Sequence, residues 1–252
     1  MGLEWIFLQP LTWNWALIFA LLMTLLIYLF LLYQFQTPVN RKQIFFMTTG
    51  IALLGITSAS PLTSFAHLTF STHMIQMSIL YFVIPPLLLL GIPPILFQKL
   101  LRVKMVGYKT SVISLVLFSV LFLMYHLPVI LQIISQYSIL QKSYSILLFV
   151  LAIIMWSPFV SWQENELKIK RYALISNIIV MPACLMFIVL ALFAGIDSYH
   201  PLNAQLFAQL CLPSAAIDLP VNTKVDQVMA GVVMLGIHKV ATHLTVREKD
   251  LF

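Results

Sequence analysis

Residues Trp13 to Tyr33 read WNWALIFALLMTLLIYLFLLY, a run without a single charge. A helix of roughly 20 apolar residues crosses the hydrocarbon core of a bilayer, so this stretch alone predicts a transmembrane helix. The rest of the chain repeats the pattern, with further apolar runs at about Ile44–Ala59, Thr72–Leu90, Ser111–Ile133, Ile139–Val160, Ala173–Gly195 and Asp226–Leu244, the second being the shortest. Polar or charged residues punctuate every junction, and no soluble linker or internal repeat separates the runs. Hydrophobic residues fill 61% of the 252 positions and charged residues 9%, which excludes an ordinary water-soluble domain. The expected fold is all-α: one polytopic membrane bundle domain over residues 1–252, with seven transmembrane helices and membrane lipids as its solvent.

Lys and Arg set the orientation, because short basic loops stay on the cytoplasmic side. Arg41 and Lys42 follow the first run, Lys99, Arg102, Lys104 and Lys109 the third, Lys168, Lys170 and Arg171 the fifth, and Arg247 and Lys249 the seventh. With seven crossings those residues all share one face, and the opposite face receives only Lys142 and Lys224. The N-terminus is therefore expected outside and the C-terminus in the cytosol. Met1–Pro10 lacks a basic n-region and no small-residue cleavage site precedes Tyr33-Gln34, so the first run is expected to persist as a helix. Trp5, Trp13 and Trp15 fit an outer interfacial aromatic belt. The net charge of +6 lies in these short clusters and not over a domain face, so nucleic acid is not an expected partner. Cys184 sits in an apolar run and Cys211 in a Pro-bounded connection, which argues against a structural disulfide and for Cys184 as a small buried hydrophobe.

The histidines concentrate at one level. His67 and His200 fall in outer loops, His73 begins the third run at the outer surface and His126 ends the fourth at the same surface. Met74 and Met77 stand beside His73, Met124 beside His126, and Asp226, Gln227 and Met229 open the seventh run. Imidazole and thioether suit copper, thioether in particular the cuprous ion. His73 and Met77 are four residues apart and share a helix face, with Met74 on the neighbouring face. The candidate metal residues are therefore His73, Met77, His126, Asp226 and Met74, with Asp226 expected to orient a histidine from behind the ligand shell. The alternative is plain: methionines pack apolar helices, and a histidine at a helix end reaches for the headgroups.

His238 and His243 belong to another level, about 18 Å or more below Asp226 at 1.5 Å per residue. His238 is open to a transit or proton-relay role, and His243 beside Arg247 to interfacial snorkelling. Pro85 and Pro86 must bend or break the third helix. The chain contains no nucleophile and base pair, no phosphate-binding glycine loop and no His-Glu-x-x-His, so its sequence makes no case for an enzyme.

Phe70-Ser71-Thr72-His73-Met74-Ile75-Gln76-Met77, followed by Ile84-Pro85-Pro86-Leu87-Leu88-Leu89-Leu90-Gly91-Ile92-Pro93, resembles the signature of the bacterial cytochrome c oxidase assembly factor CtaG in its Bacillus-type membrane family. Tyr125-His126-Leu127-Pro128 is similar to the family's His-x-Pro element, and Val225-Asp226-Gln227-Val228-Met229-Ala230-Gly231-Val232-Val233-Met234 to its Asp-Gln-x-x-Ala-Gly-x-x-Met element. The matches occur in the family's order and cover most of the chain. Many members carry His where this chain has Met77, and further histidines where it reads Gln141-Lys142-Ser143-Tyr144, so a metal site here would be richer in thioether. The resemblance implies a multi-pass protein of the bacterial cytoplasmic membrane that matures a haem-copper cytochrome oxidase, through copper presented or inserted at the extracytoplasmic face. Its implied partners are an oxidase subunit and a copper donor protein. A copper transporter and a metal-free scaffold for oxidase assembly are the alternatives.

Overall fold

The computed structural model describes residues 13–36, 40–66, 69–93, 96, 107–127, 130, 133, 134, 136–161, 166–193 and 223–249. Asn14 starts the first helix by accepting from the Leu17 amide at 3.1 Å, and α1 runs Trp15–Gln34. The second, α2, runs Arg41–Ala59 and begins three residues before the apolar run, because Asn40 and Gln43 form a capping box ahead of it. A one-turn α3, Leu62–Phe65, leads to α4, Phe70–Ser78, which Thr69 caps. A π-helical segment, Ile79–Val83, joins α4 to α5, Ile84–Gly91, in one continuous rod. The four remaining helices are α6, Tyr108–Tyr125; α7, Ser138–Ser161; α8, Glu166–Phe193; and α9, Thr223–Lys249.

No strand occurs among the described residues, and six helices are long and apolar enough to cross a membrane: α1, the α4 to α5 rod, α6, α7, α8 and α9. The helix α2 is 19 residues long but opens on Arg41-Lys42, and it is not among the six. Two expected boundaries are corrected. The fourth run ends as helix at Tyr125 and not at Ile133. There the amides of His126 and Leu127 turn back to Leu123 and Met124, and Pro128 keeps the residue before it out of helical geometry. The sixth run begins as helix at Glu166, seven residues before Ala173, where the exposed pair Lys170 and Glu166 (3.2 Å) carries the helix past the apolar run.

The helical segment runs on through Pro85 and Pro86 without a break. The π segment widens the turn before them, the amide of Ile84 bonding back to the Ile79 carbonyl, and the prolines then occupy the first turn of α5, where missing amide donors are tolerated. Donors from elsewhere satisfy carbonyls that prolines cannot serve. Trp156 Nε1 reaches Tyr81 O at 3.0 Å, and within α7 the Ser157 hydroxyl donates to Ile154 O at 2.7 Å beside Pro158. In lipid such substitutes are obligatory, since no water completes the backbone.

The main core gathers around the rod. Tyr81 and Phe82 pack against Phe118 and Phe122 of α6, with Trp156 and Phe159 of α7, Tyr172 and Cys184 of α8, and Ala230 and Met234 of α9 beyond them. Cys184 is fully buried, as its apolar setting predicted. Close helix approach depends on small residues, as it does in membrane bundles generally. A side chain added at Gly231 would meet Cys184 O at 2.8 Å, and one at Gly91 would meet the Met47 backbone at 2.8 Å. A second, smaller cluster of Tyr28, Leu32, Met47 and Ile51 joins α1 to α2 and α5, and the Tyr28 hydroxyl donates to Gly91 O at 2.7 Å. The opposite side of α1 is exposed, including Phe19, Leu26 and Phe30, as a lipid-facing helix requires.

Candidate metal centre

His73 stands on the second turn of α4, and its ring centroid lies 6.5 Å from that of His126 at the end of α6. Two imidazoles distant in sequence thus share one small volume, and both are buried. Met74 and Met77 are buried on α4, Met77 one turn from His73 on the same face. Met124 and Met229 are exposed.

The backbone fixes the protonation of His126. Its Nδ1 lies 2.7 Å from Phe122 O, a group that only accepts, so Nδ1 carries the proton and Nε2 keeps the lone pair. A metal-binding histidine commonly has this arrangement, one nitrogen donating to a carbonyl and the other presented to the ion. Packing holds the ring further: Phe122 lies 4.5 Å and Tyr125 5.2 Å from it, centroid to centroid, and Tyr125 packs in turn on Tyr144, whose hydroxyl donates to Leu121 O at 2.7 Å.

Asp226, on the first turn of α9, has a role that the sequence did not suggest. Its carboxylate accepts from the amides of Phe70 (2.7 Å) and Ser71 (3.2 Å) and from the Ser71 hydroxyl. A carboxylate there completes the helix start, satisfying amides that have no partner within α4 and meeting the positive end of the helix. It also ties α9 to α4 two residues before His73. Gln76 Nε2, donating to Thr57 O at 2.7 Å, ties the next turn of α4 to α2. The signal for Asp226 was present in Thr69-Phe70-Ser71, a helix start with open amides, but its partner lies 155 residues away from Ser71.

Among the described residues, no group of three or more His, Cys, Asp or Glu side chains is placed to hold a metal. The fold brings the His73 and His126 rings to 6.5 Å, and the buried Met74 and Met77 lie on the helix that carries His73; imidazole and thioether are donor types that suit a soft monovalent ion. His67, His200 and Cys211 lie outside the described residues. His238 is buried at a separate level, its ring 4.8 Å from Phe82 and its Nε2 3.4 Å from the Ser176 hydroxyl.

The fold and this site define a multi-pass helical membrane protein with a buried histidine pair, His73 and His126, brought together from separate helices. The profile of the family described as cytochrome c oxidase caa3 assembly factor (Caa3_CtaG) matches residues 26–246, and the chain belongs to that family. The family is one of assembly factors and not of catalysts. None of the curated proteins and none of the solved structures matches the chain.

Proposed function

We propose that this protein matures a haem-copper oxidase by presenting copper, as Cu(I), at the extracytoplasmic face of the bacterial cytoplasmic membrane. In this reading copper is cargo, received from a donor protein and passed to an oxidase subunit. His73 and His126 would hold the ion with Met77 and Met74 completing a soft shell, and Asp226 would position His73 through the start of α4. The observation that carries the reading is the approach of His73 to His126 from separate helices, beside buried methionines. The reading takes α2 as a seventh crossing, since 19 residues rise about 28 Å, near the thickness of the hydrocarbon core. That count places the N-terminus outside. Replacing His73 with Ala is expected to lower the copper content and activity of the cell's oxidase while the protein still accumulates in the membrane. Full oxidase activity in that variant would remove the support for a copper site.

A second reading, copper transport, is favoured by His238, whose burial at mid-membrane depth against Phe82 of the π segment would give an ion a lower station. Uptake of Cu(I) into proteoliposomes separates transport from presentation. Purified protein that binds no copper at all would leave a metal-free scaffold.

A further inference from the structure

Between α2, the rod and α9 lies a cleft of about 1090 Å³, remote from His73 and His126. Its floor is apolar, formed by Phe46 of α2, Pro86, Leu87 and Leu90 of α5, and Ile237 and Val240 of α9. Along α9 it extends from Val233 to Thr245, about 18 Å at 1.5 Å per residue, which is roughly half of the hydrocarbon thickness. The cleft therefore has the depth of one leaflet. Its charged lining residues, Arg41 and Lys42, sit together on the first turn of α2, both exposed and neither in an ion pair among the described residues. Thr245 adds no recognition, because its hydroxyl donates to Ala241 O at 2.7 Å.

We propose that this cleft is a binding site for one anionic phospholipid, its phosphate held by Arg41 and Lys42 and an acyl chain laid along the trough that ends near Val233. The complementarity is one of shape and charge: an apolar groove of one leaflet's depth with cations at one end matches an amphiphile with a single anionic head. Basic pockets between membrane helices bind anionic headgroups in this way. A second copy of the chain fits less well, since it would bring the same Arg and Lys clusters to the same level. Gly236 is part of the design. A side chain built there meets nothing within 4 Å, so the glycine leaves room in the groove and serves no close helix contact. The inference rests on the chain lying in a membrane, not on the copper reading.

Native mass spectrometry of the full-length protein, delipidated in detergent and offered phosphatidylglycerol or phosphatidylcholine with matched acyl chains, tests it. Wild type is expected to retain phosphatidylglycerol about 25-fold better, given roughly a fivefold gain for each of the two basic residues near a headgroup. The pair Arg41→Gln and Lys42→Gln abolishes the preference. Gly236→Phe fills the trough and lowers retention of both lipids while the melting temperature holds, so loss of binding there is not loss of fold. Acyl-free glycerophosphoglycerol does not compete; if it does, the site is for a free phosphate and the proposal falls. Undiminished phosphatidylglycerol retention in either variant overturns it, and so does a dimer that Gly236→Phe dissolves, which would assign the cleft to a second copy. None of these readings involves copper, so they stand or fall separately from the His73 experiment.

Discussion

The indole Nε1 of Trp156 donates to the carbonyl oxygen of Tyr81 at 3.0 Å, in the interior of the bundle. That oxygen has no partner available in its own helix. In α geometry its donor would be the amide of residue 85 and in π geometry that of residue 86, and both are prolines. A carbonyl orphaned in both registers must find a donor on another helix, and Trp156 of α7 supplies it. The bond locks α7 against the rod that carries His73.

Removing that donor by Trp156→Phe should therefore destabilise the protein by about 1 to 3 kcal/mol, the desolvation cost of an unsatisfied buried acceptor, over and above any loss of packing. A double-mutant cycle isolates it. With Pro85 and Pro86 both replaced by Ala, residues 85 and 86 regain amides and the penalty of Trp156→Phe should shrink. Equal penalties in both backgrounds, measured by thermal unfolding in detergent, would show that the hydrogen bond contributes nothing.

Asp226→Asn should weaken the start of α4 by about 1 kcal/mol, as loss of a helix N-terminal carboxylate and its bonds typically does. Ser71→Ala alone should cost less, because the Phe70 and Ser71 amides still reach the carboxylate. If Asp226 positions His73, Cu(I) affinity in Asp226→Asn falls roughly tenfold, in the range typical of supporting groups behind a metal ligand. Competition with a colorimetric Cu(I) chelator reads this directly, and an unchanged affinity would confine Asp226 to helix anchoring.

His126→Ala and His73→Ala should each reduce Cu(I) binding by more than the 10- to 100-fold that loss of a supporting group typically costs. Met77→Leu keeps volume and removes only the thioether, so it should lower Cu(I) affinity with little effect on melting temperature. Equal loss of Cu(I) and Zn(II) binding in Met77→Leu would argue against a soft-ion site.

Gly91→Ala and Gly236→Ala should move stability in opposite directions. The first drives a methyl group into the Met47 backbone, at 2.8 Å from its nitrogen, and overpacking of that kind costs about 1 to 3 kcal/mol. The second meets open space and replaces glycine by the best helix former, a gain of up to about 1 kcal/mol. Thermal melts of the two variants in the same detergent compare them.

Topology is checked by tags. Fusions after Lys104 and at Phe252 should report the cytosol and one near Asn203 the outside, from the basic residues that crowd one face. The same compartment for Lys104 and Asn203 would show that the number of crossings is not odd in the way proposed.

Composition and run length determined the helical membrane class by themselves, because a bilayer leaves a backbone almost no other choice than helix, and charge-free runs such as Trp13–Tyr33 declare it. The positions of His73, His126 and Asp226 near the ends of their helices were legible too, since depth along a helix is counted in residues. Helix ends were less so: α6 stops at Tyr125 and α8 starts at Glu166, because caps, a following proline and interfacial charges override apolar length. Lateral arrangement was not legible at all. Nothing in one sequence says that the His73 ring lies 6.5 Å from that of His126, that Asp226 caps a helix 155 residues before it, or that Trp156 serves the carbonyl two prolines leave open. Those relations depend on how helices pack side by side, and packing is decided jointly by residues far apart in the chain, such as Gly231 against Cys184 and Gly91 against Met47.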